Sequence, residues 1–160
     1  MSYLVADMDD VYIDPANGMN WLWYLKGKYP NFKCTLFVIP GKSTLDWIWE
    51  LVNLDWVEVG IHGNMHDEKE EITEDIIKGW SIWSSIYKGP NWKVTKKEMD
   101  LLHEKGYSLA VKEVIEHPIK QWPLTDPRAV HGHAWIEADW KRLESLIKPK
   151  TEFKFIKEVI

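Results

Sequence analysis

Leu4-Val5-Ala6-Asp7-Met8-Asp9-Asp10-Val11 is an apolar run that closes on two adjacent carboxylates, and its reading as a buried strand decides how the rest of the chain is read. A second stretch has the same form. Val57-Glu58-Val59-Gly60-Ile61 leads directly into His62-Gly63-Asn64-Met65-His66, so two imidazoles spaced i, i+4 also follow a strand. Two His and one Asp make a nitrogen and oxygen ligand set suited to Zn²⁺ or a similar divalent ion, with positions left for water and substrate. The second Asp of the pair is then free for proton transfer. We read Asp10 as the ligand and Asp9 as the base. Asp7 shares a face with Asp9 in an extended strand, and both inside would need partners.

Outward from these stretches, strands and helices alternate. A helix is expected over 17–28, with Trp21, Leu22 and Leu25 on one face, and a strand covered on both faces over 34–39. Ser43 is expected to cap a helix running to about Asn53. Ile72, Ile76, Ile77, Trp80, Trp83 and Tyr87 have helical spacing and predict one long helix ahead of Gly89-Pro90. The acidic residues of 67–71 read as its solvated start. Thr95-Lys96-Lys97-Glu98 is a capping box for a short helix that Gly106 closes. Strands are expected over 107–115, 128–131 and 153–156, a helix over 139–148, and a loop through the prolines of 118–127. Alternation of this kind implies a mostly parallel sheet, open or rolled into a barrel, with its sites beyond the carboxyl ends of the strands. Asp9-Asp10, His62 and His131-Gly132-His133 all follow strands, so they land on one rim. His103 and His117 read as structural, and Asp14 as a turn residue before Pro15.

Size and composition narrow the field. With 160 residues and 45% hydrophobic content, the chain (1–160) reads as one domain with a real core. The net charge of −5 arises from mixed charges without a basic block, which argues against nucleic acid as a partner. No stretch has membrane-spanning length, and Met1-Ser2-Tyr3-Leu4 does not open a signal peptide, so no membrane partner and a cytoplasmic location are expected. Cys34 reads as a buried strand thiol. Of the 11 Trp, Trp21, Trp23, Trp47, Trp49, Trp80 and Trp83 sit in helical patterns and are expected in the core. Trp92, Trp122 and Trp135 lie beside Pro, Gly or His and are the candidates for a binding surface.

Asp7-Met8-Asp9-Asp10-Val11 resembles the first motif of the polysaccharide deacetylases, a Thr-Phe-Asp-Asp-Gly strand end with its Asp pair kept and its Thr and Gly replaced. The family's His-(Ser/Thr)-x-x-His motif is similar to His62-Gly63-Asn64-Met65-His66. Its Ala-Thr-Phe-Phe-Val-x-Gly strand is similar to 33–41, and Arg-x-Pro plus an aromatic is echoed by Lys88-Gly89-Pro90-Asn91-Trp92. There Lys, which lacks the planar fork of Arg, stands in the Arg position. The closing apolar-x-His motif resembles Val130-His131-Gly132-His133 in either of two registers. The family's remaining motif, an Asp that tunes the catalytic His, has no match.

The resemblance runs in order over 4–135. It implies an α/β fold, a distorted or incomplete (β/α) barrel of about six to seven strands. It also implies a hydrolase that removes acetyl groups from N-acetylated, or O-acetylated, sugars. One divalent ion, Zn²⁺ first and Co²⁺, Ni²⁺ or Mn²⁺ as alternatives, would be held by Asp10, His62 and His66. Asp9 would be the base and His133, or His131, the acid. Pro90, Trp92 and Trp135 would form the substrate-binding walls, with an oxyanion N–H in 90–92. Two other readings stand beside it: a glycan-binding module of the same fold with little or no catalysis, and a hydrolase of small non-sugar amides.

Overall fold

The structure, a computed structural model, describes residues 3–14 and 19–160. Seven strands pair side by side, every pairing parallel, in the order β6-β5-β4-β3-β2-β1-β7. They are β1 (Tyr3–Val11), β2 (Cys34–Val38), β3 (Val57–Ile61), β4 (Ile86–Tyr87), β5 (Ser108–Val111), β6 (Gln121–Pro123) and β7 (Ala129–His133). A short β8 (Glu152–Phe153) attaches to the start of β1. Helices α1 (Met19–Lys28), α2 (Leu45–Val52), α3 (Glu74–Trp80), α4 (Lys96–Glu104) and α5 (Glu137–Leu146) flank the sheet. The sheet rolls into a nearly closed barrel, as expected. Between its end strands β6 and β7, Arg128 lies over the rings of Trp122 and Tyr3.

Two-residue alternation along each strand divides the apolar residues into two cores. Met8, Leu36 and Val59 face outward and pack with Ile48, Leu51, Ile77, Leu102, Trp140 and Leu143 of the helices. Val5, Phe37, Ile86, Ala110, Trp122 and Ile156 form a smaller cluster inside the barrel. Gly60 makes this inner packing possible, because a Cβ there would stand 2.6 Å from the Phe37 ring. The same inner face carries charge. Asp7 is in register with Thr35 on one side and His131 on the other, and Thr35 with Glu58.

Several local expectations need correction. The long helix of 72–87 is instead the seven-residue α3 followed by β4. Serine side chains end it: Ser81 Oγ bonds the Ile77 carbonyl, and Ser84 Oγ accepts from Ile86 N–H. The acidic residues of 67–71 precede α3 rather than start it, and Thr73 is its cap. Thr44, not Ser43, caps α2 by accepting from Trp47 N–H. The proline-rich loop contains β6, where Pro123 is tolerated on an end strand. The expected strand over 107–115 ends at Val111, and that over 153–156 gives way to a 3-10 turn at Ile156–Glu158. Trp23 is 54% exposed rather than core, whereas Trp122 is buried inside the barrel rather than on a binding surface. Cys34 is buried on β2, and burial pushes its thiol pKa up. The start of the first helix at Asn17 and the turn at Pro15 lie outside the described residues, as do Met1 and Ser2. No helix among the described residues is long and apolar enough to cross a membrane.

Candidate active site

Strict alternation would send Asp9 and Asp10 to opposite faces of β1. The register of β1 against β2 slips between Met8 and Val11, and Asp10 adopts φ 57°, so both carboxylates turn to the same rim. On β3, Glu58, Gly60 and then His62 point inward in sequence. The chain reverses at Gly63 (φ 63°), where a Cβ would stand 2.7 Å from Pro90 Cγ, and His66 at φ 60° swings back toward His62. Glu70 pins this loop by accepting from the N–H groups of Asn64 and Met65 at 3.1 and 2.9 Å.

Three donor atoms meet there. Asp10 Oδ1 lies 3.4 Å from His62 Nε2 and 3.1 Å from His66 Nε2, and the two nitrogens are 3.1 Å apart. His62 Nδ1 is 3.1 Å from the Lys88 carbonyl, which can only accept, so Nδ1 carries the proton and Nε2 presents a lone pair. Asp10 Oδ1 is buried with no hydrogen-bond partner. Buried lone pairs facing one another this closely call for a cation between them. The edges of a tetrahedron around Zn²⁺ at its usual ligand distances are about 3.3 Å, so these residues fit such an ion. Burial alone would raise the Asp10 carboxyl. The Trp135 N–H on its Oδ2 works against that and favours the carboxylate. Burial and the neighbouring His62 lower the His66 pKa, which keeps its ring neutral and able to donate a lone pair.

Beneath the trio lies a buried ion network. Lys88, 1% exposed, places Nζ 2.6 Å from Asp7 Oδ2 and 2.7 Å from Asp9 Oδ1, above the faces of Phe37 and Trp92. Burial disfavours the charges of Asp7 and Lys88, but the pairing wins: Asp7 is held below its usual pKa and Lys88 above its own. Asp7 Oδ2 also lies 2.8 Å from His131 Nδ1. Two residues further along β7, His133 Nδ1 is 3.5 Å from Asp139 Oδ2, which accepts the His133 backbone N–H. Each imidazole of His131-Gly132-His133 thus has a carboxylate behind it.

Asp9, Asp10, His62, His66, Asn91, Trp92 and His133 line one cavity of about 120 Å³. His131 is set back from it, in the Lys88 network. Pro90 is buried under Gly63, where it shapes the turn rather than a wall. Trp135 is exposed at the rim and donates its indole N–H to Asp10 Oδ2 at 3.0 Å. Asn91 and Trp92 both take positive φ, 51° and 62°, and Trp92 N–H is spent on the Gly89 carbonyl. Three members of the site were not assigned a part from sequence. Asp139 reads there only as the start of a helix, Asp7 as a carboxylate in need of a partner, and Lys88 as a weaker stand-in for Arg.

No protein-family model and no curated protein sequence matches the chain. Solved structures do match it. The Xyl-CE4 domain of a multidomain xylanase from the hindgut metagenome of Trinervitermes trinervoides aligns with a TM-score of 0.64 at 12% identity, over 99% of this chain and 89% of that one. A family 4 carbohydrate esterase from Bacillus anthracis aligns with a TM-score of 0.62 at 18% identity, over 99% and 82%. A family 4 acetyl xylan esterase from Clostridium thermocellum, in complex with a cobalt ion, aligns with a TM-score of 0.58 at 12% identity, over 98% and 89%. At these identities the likeness is one of architecture. The chain has the polysaccharide deacetylase fold of the family 4 carbohydrate esterases.

Proposed function

We propose that this chain is a metal-dependent carbohydrate esterase that removes acetyl groups from N- or O-acetylated sugars. The observation that carries this reading is the meeting of Asp10 Oδ1, His62 Nε2 and His66 Nε2 beside Asp9 and His133 in a single small cavity. Those three atoms would hold one divalent ion, Zn²⁺ by the donor set, with Co²⁺, Ni²⁺ or Mn²⁺ as substitutes. Such an ion, when bound, acidifies water and polarises a carbonyl.

Asp9 is oriented for proton transfer. Its Oδ1 is fixed on Lys88, while Oδ2 faces the trio, 3.7 Å from His62 Nε2. That oxygen takes the proton of the attacking water. His133, on the cavity wall with a carboxylate behind its ring, gives a proton to the departing amine or alcohol. Pro90 has no N–H and that of Trp92 is already bonded, so Asn91 is the backbone donor of 90–92 left to meet the developing oxyanion. The cavity of about 120 Å³ has room for an acetyl group and a water, with Trp92 on its wall and Trp135 at the rim to meet the sugar ring. The fold neighbours include an acetyl xylan esterase in complex with cobalt, which supports the reading.

Acetate release from acetylated xylan and from N-acetylated oligosaccharides, with and without a chelator, tests it. We expect release that stops on chelation and returns with added Zn²⁺ or Co²⁺. Absence of release from both substrates in the metal-loaded chain would overturn it. The small cavity also accommodates a short non-sugar amide, and a screen of such amides separates that reading from the glycan one.

A further inference from the structure

We propose that Asp9, His131 and His133 form a second, weaker divalent-cation site beside the first. One donor atom from each of the three lies within 4.8 Å of the others. His131 Nε2 is 3.6 Å from Asp9 Oδ2. Proton transfer at the cavity needs Asp9 and one imidazole on its wall, which leaves His131 without a part in it.

The support behind the two rings is what distinguishes this cluster from incidental histidines. His131 Nδ1 faces Asp7 Oδ2 at 2.8 Å, and His133 Nδ1 faces Asp139 Oδ2 at 3.5 Å. An imidazole that gives its Nδ1 proton to a carboxylate presents an oriented Nε2 lone pair and is a better base for a metal.

Lys88 makes the second site the weaker. Its Nζ sits 2.7 Å from Asp9 Oδ1 and 3.4 Å from His131 Nδ1, where it opposes an incoming cation. The sites therefore fill in order. Filling the second engages Asp9 and His133 and lowers turnover at excess metal. That effect on turnover rests on the function proposed above; occupancy itself does not.

The test is equilibrium dialysis of the metal-stripped chain against Co²⁺, with elemental analysis of bound ion and circular dichroism of each variant. The native chain should bind about two ions, the second at least about tenfold more weakly. His131→Ala should lose only the second ion. His133→Ala, at a half-exposed position that tolerates truncation, should lose it independently. His66→Ala should weaken the first. Saturation at about one ion up to millimolar free Co²⁺ would overturn the proposal, as would a second ion that survives both His131→Ala and His133→Ala. Two-ion binding without acetate release would sink the proposed activity and leave the second site standing; one-ion binding with acetate release would do the reverse.

Discussion

Toward the amino ends of the strands, Glu58 is buried among N–H and O–H donors; toward the carboxyl ends, Asp7 and Asp9 are buried on an ammonium. Glu58 accepts from Thr35 Oγ1 and from the backbone N–H groups of Ile156 and Lys157, which ties the turn after β8 across the barrel floor. Neutral dipoles satisfy its lone pairs without cancelling its charge, and burial pushes its pKa up. Asp7 is just as buried, yet Lys88 and His131 carry its pKa down. Hydrogen bonds suffice for a carboxylate that only has to hold a turn, whereas one that must stay anionic beside proton-transfer groups needs a full opposite charge.

Removing that charge should have the largest effect. Lys88→Met leaves two buried carboxylates without their ammonium and should cost roughly 3–5 kcal/mol in urea unfolding. Adding Asp7→Asn to it should restore part of the loss, and a Lys88→Met chain as stable as the native one would erase the distinction between the two ends.

Next come the paired aspartates. Asp10→Asn should lose bound metal and acetate release together. Asp9→Asn should keep the ion held by Asp10, His62 and His66 while turnover falls by about 10²- to 10⁴-fold. Elemental analysis beside acetate assays reads both, and the reverse pattern would exchange the two roles. Trp135→Phe keeps the ring and removes the N–H from Asp10 Oδ2, so metal affinity should weaken by about tenfold. Unchanged affinity would make Trp135 a wall alone.

The smallest effect separates the two ends by sign. The folded-state pKa of Glu58 lies above its ordinary 4.5, so its ionisation weakens the fold, and that loss sets in as pH rises through the interval up to the raised value. Glu58→Gln gives up one acceptor, about 1 kcal/mol near pH 4, and this deficit should shrink toward neutral pH. Asp7 has a lowered value, so its contribution is present above 3.8 and lost on acidification. The deficit of Asp7→Asn should therefore grow with rising pH below 3.8, whereas that of Glu58→Gln shrinks with rising pH above 4.5. Parallel pH profiles for the two variants would contradict the contrast.

The legible parts of this molecule were the ones written in periodicity and local chemistry. β1, β2 and β3 stand out as apolar runs, and the capping box at Thr95 forms as its residues require. Asp9, Asp10, His62, His66, Trp92 and His133 reach one cavity because strand ends of a parallel sheet converge. Pairs made across the barrel were not legible. Asp7 and Lys88 are 81 positions apart and meet only because β1 and β4 face each other. Tyr87 continues a helical spacing from Ile72, yet it lies on a two-residue strand whose identity depends on its neighbours in the sheet. β6 was hidden because its Pro123 reads as a breaker unless the strand is known to be at an end of the sheet. The positive φ of Asp10 leaves no mark in sequence, since Asp is ordinary in both conformations.

The gap between β6 and β7 bears on where the molecule opens. A cylinder slit along one side sheds its margins first, and β6, three residues long and held by β5 alone, is a margin. β1 lies on the other side of β7, clamped by five register pairs there and bonded to β2 along its other edge. Amide exchange should reach β6 well before β1. Asp7, Asp9 and Asp10 all ride on β1, so fraying of the slit leaves their spacing intact, and the carboxylates keep their places until the whole barrel comes apart.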